Sequence, residues 1–179
     1  MKKIILFLLI TLSIHYSNAQ TNQRDSLKQL LQKEKSDTSR VWLLLQLSYR
    51  YLDSKPDSAM LLALKGLELS RRIGFTKGEV VSLNGIGVAY TELGNYQKAM
   101  EAFLQALKMG SASTVNNIGN IYRFQGQYHE AIEYYLKGKQ LSEQRNDKDL
   151  VAVNLGNLAR SYLALKQYDS AKNVCRDGI

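Results

Sequence analysis

The apolar positions of this chain recur in blocks the size of a helical hairpin. Leu83, Ile86, Gly87 and Tyr90 fall at i, i+3, i+4 and i+7, one stripe of an α-helix, and Ala99, Phe103, Ala106 and Leu107 form a second stripe. Between them Leu93-Gly94-Asn95 breaks the pattern, with Gly94 suited to the left-handed residue that ends a helix. Gln125-Gly126-Gln127 stands in the same place thirty-two residues further on. The predicted unit is two antiparallel helices joined by a short turn.

Four copies of that unit share one pattern: a small residue, an aromatic, Gly or Lys, Ala, an aromatic or small residue, then Ala or Gly. The second copy reads Gly87, Tyr90, Gly94, Ala99, Phe103, Ala106, and the third Gly119, Tyr122, Gly126, Ala131, Tyr135, Gly138. The first reads Ser48, Tyr51, Lys55, Ala59, Ala63, Gly66, and the fourth Ala159, Tyr162, Lys166, Ala171, Cys175, Gly178. The Ala positions 59, 99, 131 and 171 are separated by 40, 32 and 40 residues. A fixed period of this size predicts an all-α solenoid, in which many small interfaces between stacked hairpins replace a single core. The hairpins are expected over about 41–73, 78–109, 112–145 and 148–179, within an array spanning 38–179. The short middle step loses eight residues around Lys108 to Thr114, roughly one helical turn from each flanking helix.

Small residues in the first and fourth slots let backbones approach, and aromatics fill the wedge between hairpins. Cys175 occupies the slot of Ala63, Phe103 and Tyr135, so it reads as packing filler. Ahead of the array, residues 24–35 predict a capping helix with Leu27, Leu30 and Leu31 inward and Arg24, Lys28 and Lys33 outward.

Leu83-x-x-Ile86-Gly87-x-x-Tyr90-x-x-x-Gly94-x-x-x-x-Ala99-x-x-x-Phe103-x-x-Ala106 resembles a tetratricopeptide repeat. Asn116-Asn117-Ile118-Gly119-Asn120-Ile121-Tyr122 is similar to the first helix of the forty-residue repeats of kinesin light chains and bacterial peptide-sensing regulators. The resemblance covers about Val41 to Ile179 and implies a right-handed superhelix of hairpins that binds proteins or peptides. Copy one departs from it by lacking the glycine and a residue between Tyr51 and Ala59. Copy four departs by carrying Ala159 and Lys166 in glycine slots.

Residues 1–19 change where such a protein is expected to work. Lys2 and Lys3 precede an apolar run from Ile4 to Ile14, and Ser17-Asn18-Ala19 forms a cleavage-like site. Eleven helical residues reach only about 17 Å, against a hydrocarbon core of about 30 Å, so a secretory signal peptide is expected rather than an anchor. Export to a periplasmic or extracytoplasmic compartment follows. The formal net charge is +8, and Lys and Arg are interspersed with Glu and Asp, a solvated face rather than a nucleic-acid stripe. Nucleic-acid binding remains the remote reading, and it would require a cytosolic chain.

The chemistry is sparse. After the leader the sole histidine is His129, at the start of a second helix, and no His, Cys or carboxylate set has metal-ligand spacing. No nucleophile and base can be paired, and Gly85-x-Gly87 lies inside a helical stripe rather than after a strand. Neither catalysis, cofactor nor metal is expected.

What the predicted fold offers is a groove lined by the first helices. The register places Tyr49, Asp53, Asn84, Thr91, Asn116, Asn120, Arg123, Asn157 and Arg160 on its exposed face. Asn carries both donor and acceptor and so fits the backbone of an extended peptide, or bridges neighbouring helices; both readings stand at this point. In tetratricopeptide domains that clamp a C-terminal carboxylate, the early turns carry Lys and Arg. Here the corresponding residues are Leu45, Tyr49, Asn84, Ser113 and Asn117, against that mode. Arg123 and Arg160 suit an acidic ligand.

Arrays of this kind behind a signal peptide look like the input domains of bacterial sensor kinases and regulators, so the expectation is the sensory or scaffolding front of a longer signalling protein. Any membrane tether would then lie in a C-terminal part beyond Ile179. A stand-alone periplasmic scaffold is the alternative.

Overall fold

The computed structural model describes residues 22–177; the leader-like segment lies outside them. Helix α1 covers residues 22–33, two residues earlier at each end than expected. Then follow α2 (Asp37–Tyr51), α3 (Pro56–Arg72), α4 (Thr76–Glu92), α5 (Tyr96–Lys108), α6 (Ser113–Phe124), α7 (Tyr128–Gln144), α8 (Lys148–Ala164) and α9 (Tyr168–Asp177). The described residues hold no strand, and the architecture is an all-α helical-repeat solenoid. Helices α5 and α6 have 13 and 12 residues, while α3, α4, α7 and α8 have 17 each. The eight missing residues therefore come out of both helices that flank the short step.

The helix ends repeat one device. At Gly74, Gly94, Gly110 and Gly126 the backbone is left-handed, with φ between 66° and 91°. Asn146 and Lys166 adopt the same conformation at φ 55° and 59°. Each such residue donates its N–H to a carbonyl three residues back, and its successor reaches five back. Asn95 N to Tyr90 O, Gln127 N to Tyr122 O and Gln167 N to Tyr162 O all measure 2.9 Å. These are Schellman caps, which satisfy carbonyls that a helix end leaves open. Copy one lacks the extra residue, and Lys55 keeps a negative φ; its N–H bonds Tyr51 O at 2.7 Å, and Pro56 opens α3.

The contacts divide the chain into two compact units, with the division between Gly85 and Ile86 inside α4. In the first unit Val41, Leu44, Leu45 and Leu69 form the buried centre. Trp42 meets Phe75 edge-on at 5.7 Å between centroids. Ser48 donates to Ala59 O at 2.7 Å, tying α2 to α3. Leu31 of α1 packs against this centre. Leu30, expected inward, is 52% exposed, because Leu27 and Leu31 share the inward face one turn apart and Leu30 falls beside it. Arg24, expected outward, is half-buried; it donates to Ser54 Oγ at 3.1 Å and lies 5.1 Å from the Tyr51 ring centroid.

In the second unit Phe103 lies on Gly87 and Tyr135 on Gly119, as the small–aromatic pattern requires. Around them Ala99, Ile118 and Ile121 form one cluster, and Ala131, Leu155 and Leu158 another. Cys175 is exposed, contrary to its reading as filler. Phe103 is covered by α6 and Tyr135 by α8, whereas no described helix follows α9.

Candidate functional site

Helices α6 and α8 both run as first helices of their hairpins, and α7 lies between them in the chain. On α6 the spacing of Asn116, Asn120 and Arg123 puts all three on one stripe, and Asn154, Asn157 and Arg160 do the same on α8. These two stripes meet. Asn116 Nδ2 donates to Asn154 Oδ1 at 3.0 Å, and Asn154 Nδ2 donates to Leu150 O at 2.7 Å. Asn157 Nδ2 stands 3.5 Å from Asn116 Oδ1 and 3.4 Å from Asn120 Oδ1. Asn120 Nδ2 points to Asn116 Oδ1 at 3.4 Å.

From α7 the Tyr135 hydroxyl donates to Asn120 Oδ1 at 2.8 Å. Burial pushes the Tyr135 phenol above its ordinary value, while the hydrogen bond and charge of Arg123 and the charge of Arg160 pull it down. The net direction is upward, so the phenol stays a neutral donor at neutral pH. Both guanidinium groups therefore converge on a polar cluster that carries no negative charge.

Arg160 Nη1 donates to Asn157 Oδ1 at 2.9 Å, which aims its exposed guanidinium along the face. Arg123 lies 4.5 Å from the Phe124 ring centroid, and Phe124 stacks in turn on Tyr96 at 6.2 Å. Its Nε is buried without a hydrogen-bond partner. Among the described residues neither Arg123 nor Arg160 belongs to an ion pair. Two cations without an acid beside a satisfied amide cluster make a surface electrostatically suited to an anion.

The sequence-derived groove residues separate into three groups. Asn116, Asn120, Arg123, Asn157 and Arg160 come together as described, but Asn116 and Asn157 are buried, 5% and 6% exposed. The expected exposed ladder is thus partly a buried bridge between first helices, with Asn120, Arg123 and Arg160 left at its surface. Thr91 is half-buried and returns its hydroxyl to Gly87 O at 2.9 Å, within its own helix. Tyr49 and Asp53 are exposed and Asn84 is half-buried. Tyr49 borders a separate cleft in the first unit.

Two members of the cluster were not foreseen as such. Asn154 lies three residues before Asn157, so helical spacing alone puts it on the same stripe. Tyr135 reads in the sequence as a packing aromatic, and its hydroxyl gives it the second role.

His129 is exposed near the start of α7. The described residues hold no group of three or more His, Cys, Asp or Glu placed to hold a metal ion. No described helix is long and apolar enough to cross a membrane.

Comparison with known proteins agrees with this geometry. Two family models described as tetratricopeptide repeat match residues 110–176 and 80–109. No curated protein sequence matches. Among solved structures, a Rap protein complexed with competence and sporulation factor is similar at 18% identity and a TM-score of 0.80, covering 94% of this chain and 50% of that one. BtubC from P. vanneervenii is similar at 14% identity and a TM-score of 0.71, covering 92% and 73%. A signal-transduction ATPase with a tetratricopeptide-repeat sensor from Pyrococcus horikoshii is similar at 18% identity and a TM-score of 0.71, covering 93% and 28%. The chain spans half or less of the Rap and ATPase chains, and at these identities the likeness concerns the fold.

Proposed function

The chain belongs to the tetratricopeptide-repeat family, and from that premise we propose that it is a non-catalytic module binding an extended acidic segment of a partner protein across α6 and α8. The observation that carries this reading is the pair Arg123 and Arg160, both acting on the Tyr135 phenol with no carboxylate paired to either among the described residues. A partner carboxylate supplies the missing charge, and the Arg fork receives it in two parallel hydrogen bonds. Asn157 holds the Arg160 cation in place, and the half-buried Asn120 offers its amide to a peptide backbone.

The export reading rests on residues 1–19, and the signalling reading on likeness to the Rap protein, whose structure holds a bound factor, and to the ATPase sensor. On this reading the module is the sensory or scaffolding part of a longer exported signalling protein.

The test begins by passing an envelope extract over immobilised wild-type protein and mapping the contact of any captured partner by cross-linking and mass spectrometry. The captured segment, remade as a peptide, is then titrated against wild-type, Asn120→Ala and Arg160→Ala proteins. Loss of a charge-assisted hydrogen bond predicts affinity weaker by about tenfold or more for Arg160→Ala. Unchanged affinity, or a mapped contact without an acidic residue, overturns the assignment to this face.

A further inference from the structure

A cleft of about 740 Å³ lies in the first unit, apart from the face on α6 and α8. Its size is that of a ligand pocket, for which roughly 300–1,000 Å³ is usual. Leu27 of α1, Trp42 and Leu45 of α2 and Val81 of α4 give it apolar walls, and Tyr49, 72% exposed, borders it. Leu45 and Tyr49 stand on α2 at positions where carboxylate-clamping arrays carry cations, so the space calls for an apolar group.

The polar lining narrows the occupant further. Among the described residues Arg50 is the one charged side chain on the cleft, and it joins no ion pair there. An anion next to the apolar group would match it. Gln23 and Gln46 also line the cleft, each with a donor and an acceptor. Peptide groups use both functions, whereas a hydrocarbon tail uses neither.

We propose that this cleft docks an extended peptide segment in which a large apolar side chain enters the space and an adjacent carboxylate pairs with Arg50. This site belongs to the first unit alone and does not depend on the α6–α8 reading.

Trp42 is the single tryptophan of the chain, so its emission reports occupancy of the cleft it lines. The full chain is titrated with acetyl-Gly-Leu-Glu-Gly-amide, with acetyl-Gly-Leu-Gln-Gly-amide and with sodium octanoate, each to 5 mM as an experimental ceiling of roughly millimolar affinity. The expected result is a saturable emission change with the Leu-Glu peptide. Apparent affinity should fall by about fivefold or more with the Leu-Gln peptide and in Arg50→Ala. Both Arg50 and Gln46 are exposed, so Arg50→Ala and Gln46→Ala should keep the wild-type circular-dichroism spectrum while weakening the peptide. No saturable change with either peptide overturns the proposal. So does equal affinity for Leu-Glu and Leu-Gln, wild-type affinity in Arg50→Ala, or octanoate binding as tightly as the Leu-Glu peptide.

Discussion

Gly119 and Tyr135 are matched in size: a methyl group on Gly119 would stand 2.7 Å from Cε1 of the Tyr135 ring. That separation is well inside van der Waals contact, and the ring is fully buried. Gly119→Ala is therefore expected to destabilise the second unit by about 1–3 kcal/mol through overpacking. Urea unfolding checks this. In the Gly119→Ala/Tyr135→Leu double variant the two losses should sum to less than their separate values, because the clash is removed with the ring.

The left-handed cap residues predict substitutions of opposite sign. Lys166 sits at φ 59° where Gly94 and Gly126 sit at 72° and 77°. A left-handed conformation costs an L-residue about 1–2 kcal/mol, and a glycine gives back about 0.4–1 kcal/mol in unfolded-chain entropy. Lys166→Gly should raise the urea midpoint by an amount worth about 0.5–1 kcal/mol. Gly126→Ala should lower it by about 1 kcal/mol.

Alkaline pH tests the buried phenol. The native Tyr135 value lies above the ordinary 10.0, so below that pH the phenol is neutral in both folded and unfolded chains and its contribution is complete. As pH rises past 10.0 the unfolded chain ionises first, and the contribution is lost as pH climbs through the raised native value. Wild-type thermal stability should fall across this window, and Tyr135→Phe should fall less steeply. Some slope remains in the variant because burial, with Tyr122 as the next cause, also raises the Tyr134 phenol.

Asn154 tests the amide cluster. Its Oδ1 accepts from Asn116 Nδ2, and Asn154 is fully buried. Asn154→Ala strands the Asn116 donor and should cost about 1–3 kcal/mol. Calorimetric melting would show the loss, and no change in melting temperature would mean that the stranded amide finds another partner.

Much of the fold could be read from the chain because its repeats obey local rules. Gly94 and Gly126 announced their turns, the aromatics Phe103 and Tyr135 announced their glycine partners, and the short step announced the short α5 and α6. At Lys166 only the repeat register marked the turn, since nothing in a lysine itself marks a left-handed backbone. The site was less legible. Helical spacing puts Asn116, Asn120 and Arg123 on one stripe, but burial depends on how closely α8 approaches α6, which no single-helix pattern encodes. Leu30 failed for a similar reason, because three leucines on a short helix cannot all face one neighbour.

The shortened pair α5 and α6 has a consequence for recognition. A strictly periodic array offers a bound chain equivalent footholds at every repeat, so the chain can slide by one unit at little cost. Clipping one step from forty residues to thirty-two removes that degeneracy. The array acquires an origin, and a partner that reads α6 and α8 together has a single alignment in which its side chains and the repeats are in phase.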